Sequence, residues 1–189
     1  MRRVIRIAVL LTIFLVGTWH TGHGAWIYIK AELAQHLLEH AWSKTRQDNQ
    51  HAPPWPWADT WPIARLLVPR HDIDLFVLSQ ESGRTLAFGP GHVSSSAMPG
   101  AKGTTILNGH RDTHFAFLEY LQSGDTVIIE QPSGHKTQFI VDHMNVIDSR
   151  HSIIRHDESS PHLVLITCFP FDAITPGGPL RYVVSAHRP

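Results

Sequence analysis

The chain has a single cysteine, Cys168, among 189 residues, so a domain of this size must fold without an internal disulfide. It also lacks an excess of charge: lysine plus arginine and aspartate plus glutamate number 16 each, which leaves no electrostatic footprint for nucleic acid. Repeats are missing, and so is a His-Glu-x-x-His zinc pattern. What is abundant is histidine, with 15 residues. Histidine titrates near neutrality and binds metals, but abundance alone does not make a site.

Met1, Arg2, Arg3 and Arg6 precede an apolar stretch that runs from Ile7 to Ile29 when read through Gly17, His20 and His23. A spanning helix needs roughly 20 mostly apolar residues. Residues 1–29 are therefore read as a cytoplasmic basic tip and transmembrane signal anchor, and the positive-inside tendency exports the remainder. The competing reading is a cleavable signal peptide, because Gly22 and Gly24 give a small-x-small pattern ahead of Ala25. Apolar character resumes at Trp26 to Ile29, beyond that site, which favours the uncleaved anchor.

Residues 30–62 are read as a juxtamembrane helix and linker. Ile29, Leu33, Leu37 and Ala41 follow helical spacing as far as Trp42. The polar run Ser43 to Gln50 and the proline-tryptophan segment His51 to Pro62 then interrupt regular structure.

From residue 63 to 189 the texture changes to short runs of valine, isoleucine and leucine separated by turn residues. Candidate strands are Ile63 to Val68, Ile73 to Leu78, Thr85 to Phe88, Thr104 to Asn108, Thr126 to Gln131, Lys136 to Ile147, His162 to Cys168 and Leu180 to Ala186. One short helix is expected over Phe115 to Leu121. Many short strands with few helices give a mainly β class, a closed barrel or a sandwich, and we expect the barrel.

Cys168 ends the apolar run His162 to Thr167, before Phe169-Pro170 and the loop Pro176-Gly177-Gly178-Pro179. A thiol where rigid sheet gives way to loop is well placed for chemistry. The alternative is an inert core cysteine. A nucleophilic cysteine needs a thiolate and hence a cationic neighbour. Arg181, at the start of the next strand, would return its guanidinium towards the sulfur through a hairpin; otherwise it is a surface arginine. His110 follows Thr104 to Asn108 through Gly109, a natural seat for a general acid or base. The other view is that it is one of many surface histidines.

Together, Asn108-Gly109-His110-Arg111, Leu165-Ile166-Thr167-Cys168 and Leu180-Arg181-Tyr182-Val183-Val184 resemble, in this order, the His, Thr-x-Thr-Cys-like and Arg motifs of the sortases. The resemblance covers roughly Arg65 to Ala186. Met98 to Phe117 and Phe169 to Val184 look most similar to the proteobacterial, or marine-type, branch, which would imply an inner-membrane protein with a periplasmic domain.

The resemblance implies a closed eight-stranded sortase barrel, with Cys168, His110 and Arg181 converging on a groove for an extended peptide. The substrate would be a Leu-Pro-x-Thr-Gly-like C-terminal sorting signal on a secreted protein, cut after its threonine. Cys168 would form a thioacyl enzyme, and His110 would protonate the departing amine. Arg181 would hold the oxyanion, and Thr167 would support the nucleophile. An amine acceptor on the envelope or another protein would complete transpeptidation; water would give hydrolysis. Two departures stand out. The motif ends Ile-Thr-Cys, without a threonine often found further upstream. The loop Val93 to Met98 offers serines where calcium prefers carboxylates, so neither calcium nor another cofactor is expected. Pro54 to Asp59 has the ingredients of a lid in another order, and a packed linker is the expectation.

Two other functions stay in view. His110 and His114 are four apart and could hold zinc with Cys168. Trp55 to Trp61 could mark an envelope-anchored binder of glycan or protein, though packing tryptophans explain the segment as well. Asp112 could orient His110 or His114, or serve only as a turn residue.

Overall fold

This computed structural model describes residues 2–48, 50–152, 160–173, 175 and 177–189. Pro176 of the expected loop lies outside the described residues, as do the side chains of residues 22–28 around the candidate cleavage site. Contacts divide the chain into residues 1–36 and 37–189.

Helix α1 covers Arg2–Asp48 and continues past the expected end at Trp42. Its last turns are held by packing rather than released as linker. Leu38, Ala41 and Trp42 are buried, Thr45 accepts a hydrogen bond from the Ala52 N–H, and Arg46 lies 3.3 Å from the buried carboxylate of Glu130. The polar composition of Ser43 to Asp48 therefore reports a helix with one packed face. Among the described residues no helix is long and apolar enough to cross a membrane. The expected span is interrupted by Gly17, Thr18 and the run His20 to Gly24, which dilute its apolar character.

The remainder is a closed barrel of eight strands: β1 Pro62–Val68, β2 Ile73–Leu78, β3 Gly91–His92, β4 Thr104–Asn108, β5 Thr126–Glu130, β6 Lys136–Asp148, β7 His162–Cys168 and β8 Leu180–His187. Around the barrel they run β1-β2-β3-β4-β7-β8-β6-β5, so every strand edge is paired. Alternation sends Leu66, Val68, Leu107, Val127, Phe139 and Leu165 into the main core.

The expected strand at Thr85 to Phe88 is instead a 3-10 turn, Thr85–Ala87. The Ser82 hydroxyl bonds both the Thr85 hydroxyl and its N–H, a local bond that competes with sheet pairing. The third strand forms at Gly91–His92, too short to show a periodicity. Ala116–Tyr120, within the expected helix, is likewise 3-10.

Asp125, buried ahead of β5, fastens the turn Pro69–His71 to the barrel. It accepts from Arg70 at 2.6 Å, from the Gln122 N–H at 2.9 Å, and pairs with His71 at 3.0 Å. Burial pushes this carboxyl up, but the bonds from His71, Gln122 and Arg70 outweigh it and hold it below its ordinary value. A depressed folded pKa stabilises above the unfolded value and loses that contribution as pH falls through the folded one. Asp125→Asn is therefore expected to cost about 1–3 kcal/mol at neutral pH, with the gap to wild type closing in thermal melts as pH falls below the ordinary carboxylate range.

Candidate active site

Cys168 is the last residue of β7, which lies between β4, parallel to it, and β8, antiparallel to it. Leu163, Leu165 and Thr167 point into the barrel and are buried. Val164, Ile166 and Cys168 share the opposite, outer face. On that face Val164 joins Ile106 and Val183 in a second apolar cluster, with Val93, Ile147 and Ile166 packed against it. The row of side chains leading to the sulfur is thus a second, smaller apolar strip on the outer face, in which Ile106, Val164 and Val183 are buried and Val93, Ile147 and Ile166 are partly exposed. Cys168 itself is partly exposed.

Arg181 sits directly opposite Cys168 in the β7 and β8 ladder. Opposed residues of an antiparallel pair project from one face, with Cβ atoms about 4.5–5.5 Å apart. The guanidinium is partly exposed. Its Nη1 donates to the carbonyls of Gly178 at 2.7 Å and Leu180 at 2.8 Å. These bonds hold the arginine over the loop end.

His110 is reached through β4. The pairing of Asn108 with Ile166 continues beyond the strand: the Gly109 N–H donates to the Ile166 carbonyl at 3.1 Å. The buried Thr167 hydroxyl donates to the Gly109 carbonyl at 2.8 Å. His110 is therefore the next residue after a backbone already bonded to the two residues before Cys168. Its carbonyl accepts from the Phe115 N–H at 3.0 Å, which closes a tight turn, and its side chain is exposed.

Gly109 is required by that turn, because a Cβ there would lie 2.6 Å from the fully buried ring of Phe115. Gly109→Ala is expected to displace the ring and the histidine together. Thermal melts should show a loss of about 1–3 kcal/mol, and turnover should fall with it.

His114 is half-buried beside His110. Burial lowers its pKa, a hydrogen bond to the Ala87 backbone opposes that, and the nearby His110 charge lowers it further. Among the described residues no group of three or more His, Cys, Asp or Glu side chains could hold a metal ion, and zinc would need more ligands than His110 and His114. Asp112 is exposed, and its carboxylate accepts from Arg111 Nε at 3.2 Å. Trp55 packs edge-on against Phe88 with centroids 5.0 Å apart.

Sequence reasoning gave no role to Arg111, whose side chain is buried. Nor did it find the outer apolar strip, although the continuous valine, isoleucine and leucine run of β7 signals a strand covered on both faces.

A sortase-domain family model matches residues 66–189. The chain belongs to the sortase family. It is 31% identical over 123 residues to Sortase D of Bacillus subtilis (strain 168), a match covering 65% of this chain and 62% of that relative's length. Sortase A from Corynebacterium diphtheriae superposes with a TM-score of 0.62 at 29% identity, covering 70% of this chain and 62% of that one. A Sortase D5 transpeptidase of Clostridium perfringens superposes with a TM-score of 0.67 over 83% of this chain and 98% of that one. At 18% identity the last likeness speaks for the sortase fold alone.

Proposed function

We propose that this sortase is a cysteine transpeptidase that cleaves a Leu-Pro-x-Thr-Gly-like sorting signal after threonine and transfers the acyl part to an amine. The observation that carries the reading is the direct pairing of Cys168 with Arg181 at the end of an outer-face apolar strip. The partly exposed Val93, Ile147 and Ile166 of that strip suit the apolar leading residues of an extended peptide, and the thiol and guanidinium at its end suit an acyl carbonyl.

In this reading the Cys168 thiolate adds to the threonine carbonyl, and the oxyanion is stabilised by Arg181. Collapse expels the glycine amine as His110 gives it a proton, which leaves a thioester. An incoming amine then loses a proton to His110 and displaces the sulfur. Thr167 supports the site by fixing the backbone of Gly109, and Asp112 acts on it through Arg111.

The partners are a secreted protein bearing the signal and an amine on the envelope or on another protein. The N-terminal helix serves as a membrane anchor that leaves the barrel outside the cytoplasm. Support comes from Arg2, Arg3 and Arg6 ahead of exposed Ile7, Leu10, Leu11, Phe14, Leu15 and Trp19. Membership of the marine-type branch rests on the likeness of Met98 to Phe117 and Phe169 to Val184.

The test is cleavage of a fluorogenic Leu-Pro-x-Thr-Gly-type peptide, with and without an added amine. Cleavage dependent on Cys168, with product joined to the amine, is expected. A peptide left intact selects a binding domain; turnover that is abolished by chelator and survives loss of Cys168 selects metal chemistry.

A further inference from the structure

Arg111 is the one buried arginine or lysine among the described residues, 6% exposed and next to a residue proposed for catalysis. Taking a charge out of water is costly unless its donors are satisfied. Here they are satisfied largely by backbone. Nη1 donates to the Pro170 carbonyl at 2.8 Å, and Nη2 donates to the carbonyls of Ala173 at 2.6 Å and Thr175 at 3.4 Å, while Nε donates to Asp112.

All three carbonyls belong to the connection between β7 and β8, which begins where Cys168 ends. The far end of the same connection is held by Arg181 on the Gly178 carbonyl. One arginine therefore grips the start of the connection and the other its end. The first is adjacent to His110, and the second lies opposite Cys168.

We propose that Arg111 is the positioning residue of the acyl-transfer site: it fixes the connection after Cys168 to the segment bearing His110, and so sets the spacing of the three groups. This rests on the transpeptidase reading for its kinetic part. A planar fork spans separated carbonyls, whereas a lysine ammonium presents its donors at one point and glutamine carries no charge. Because the grip is on backbone, it holds whatever side chains the connection carries. A shift of about 1 Å at a site of this kind can cost about a hundredfold in rate.

The experiment compares the full chain with Arg111→Lys and Arg111→Gln, by hydrogen exchange and by steady-state peptide kinetics. In both variants, amides of the β7 to β8 connection and of His110 to Phe115 should exchange at least about tenfold faster, while those of β1 and β5 stay unchanged. The kinetic expectation is a fall in kcat of about 10- to 100-fold with KM within about threefold, and lysine should restore little.

Exchange that is unchanged, or raised equally throughout the barrel, overturns the proposal. So does a lysine variant with wild-type kcat. If Arg111→Gln does not fold, Arg111→Lys carries the same two readouts. Wild-type protein inactive on the peptide overturns the transpeptidase reading instead, and the clamp then stands or falls on the exchange pattern.

Discussion

Replacing Cys168 by alanine is expected to lower peptide cleavage by about a thousandfold or more, because no other group can supply the covalent intermediate. The fold should be almost untouched. Cys168 is partly exposed at the end of a strand and lies on the outer face, so the change removes one sulfur without opening a cavity in the main core. A stability change of about 0.5 kcal/mol or less is expected in thermal melts. Loss of turnover with the melt preserved would separate chemistry from folding. Turnover that survives would assign the reaction to another group.

The second large effect is expected at Arg181. Arg181→Ala should lower kcat by about 10²- to 10³-fold, the range for removing a donor to a developing oxyanion. The cross-strand position opposite Cys168 puts the two side chains on one face of the sheet, and the Nη1 bonds to the Gly178 and Leu180 carbonyls hold the arginine before substrate arrives. Arg181→Lys keeps the charge but not the fork, so recovery should be slight. Steady-state kinetics that show a rise in KM alone would make Arg181 a substrate anchor and not a stabiliser of the transition state. Wild-type kinetics in the lysine variant would show that charge alone suffices.

Much of the barrel was legible in the sequence because its long strands carry a strong signal. The runs at 162–168 and 180–187 are rich in valine, leucine and isoleucine, and their ends coincide with turn residues. Where local chemistry competes with sheet pairing, the pattern misleads. Thr85 to Phe88 has strand composition, yet Ser82 turns it into a 3-10 segment, and the two residues that pair in its place are too few to leave a period. The helix end was missed for a different reason: Thr45 and Arg46 look like solvated polar residues until Ala52 and Glu130 supply partners distant in the sequence or the fold.

The site shows the same division. Cys168 and Arg181 could be placed opposite one another because a hairpin register is nearly fixed by its two strands. His110 could be placed at a strand end, but its approach to β7 depends on the parallel pairing of Asn108 with Ile166, and no local signal fixes the register of parallel strands far apart in sequence. Arg111 was invisible as a clamp, since its partners are backbone carbonyls and any residue at 170, 173 or 175 would present one. The exposed Asp112 is connected to the site through that same arginine.

Brief incubation of the full chain with a Leu-Pro-x-Thr-Gly-type peptide, followed by mass spectrometry, tests the covalent step itself. The expected result is a mass increase equal to the peptide fragment ending in threonine, mapped to the segment containing Cys168 and removed by an added amine. Peptide cleaved at full rate with the thiol of Cys168 never acylated would contradict it.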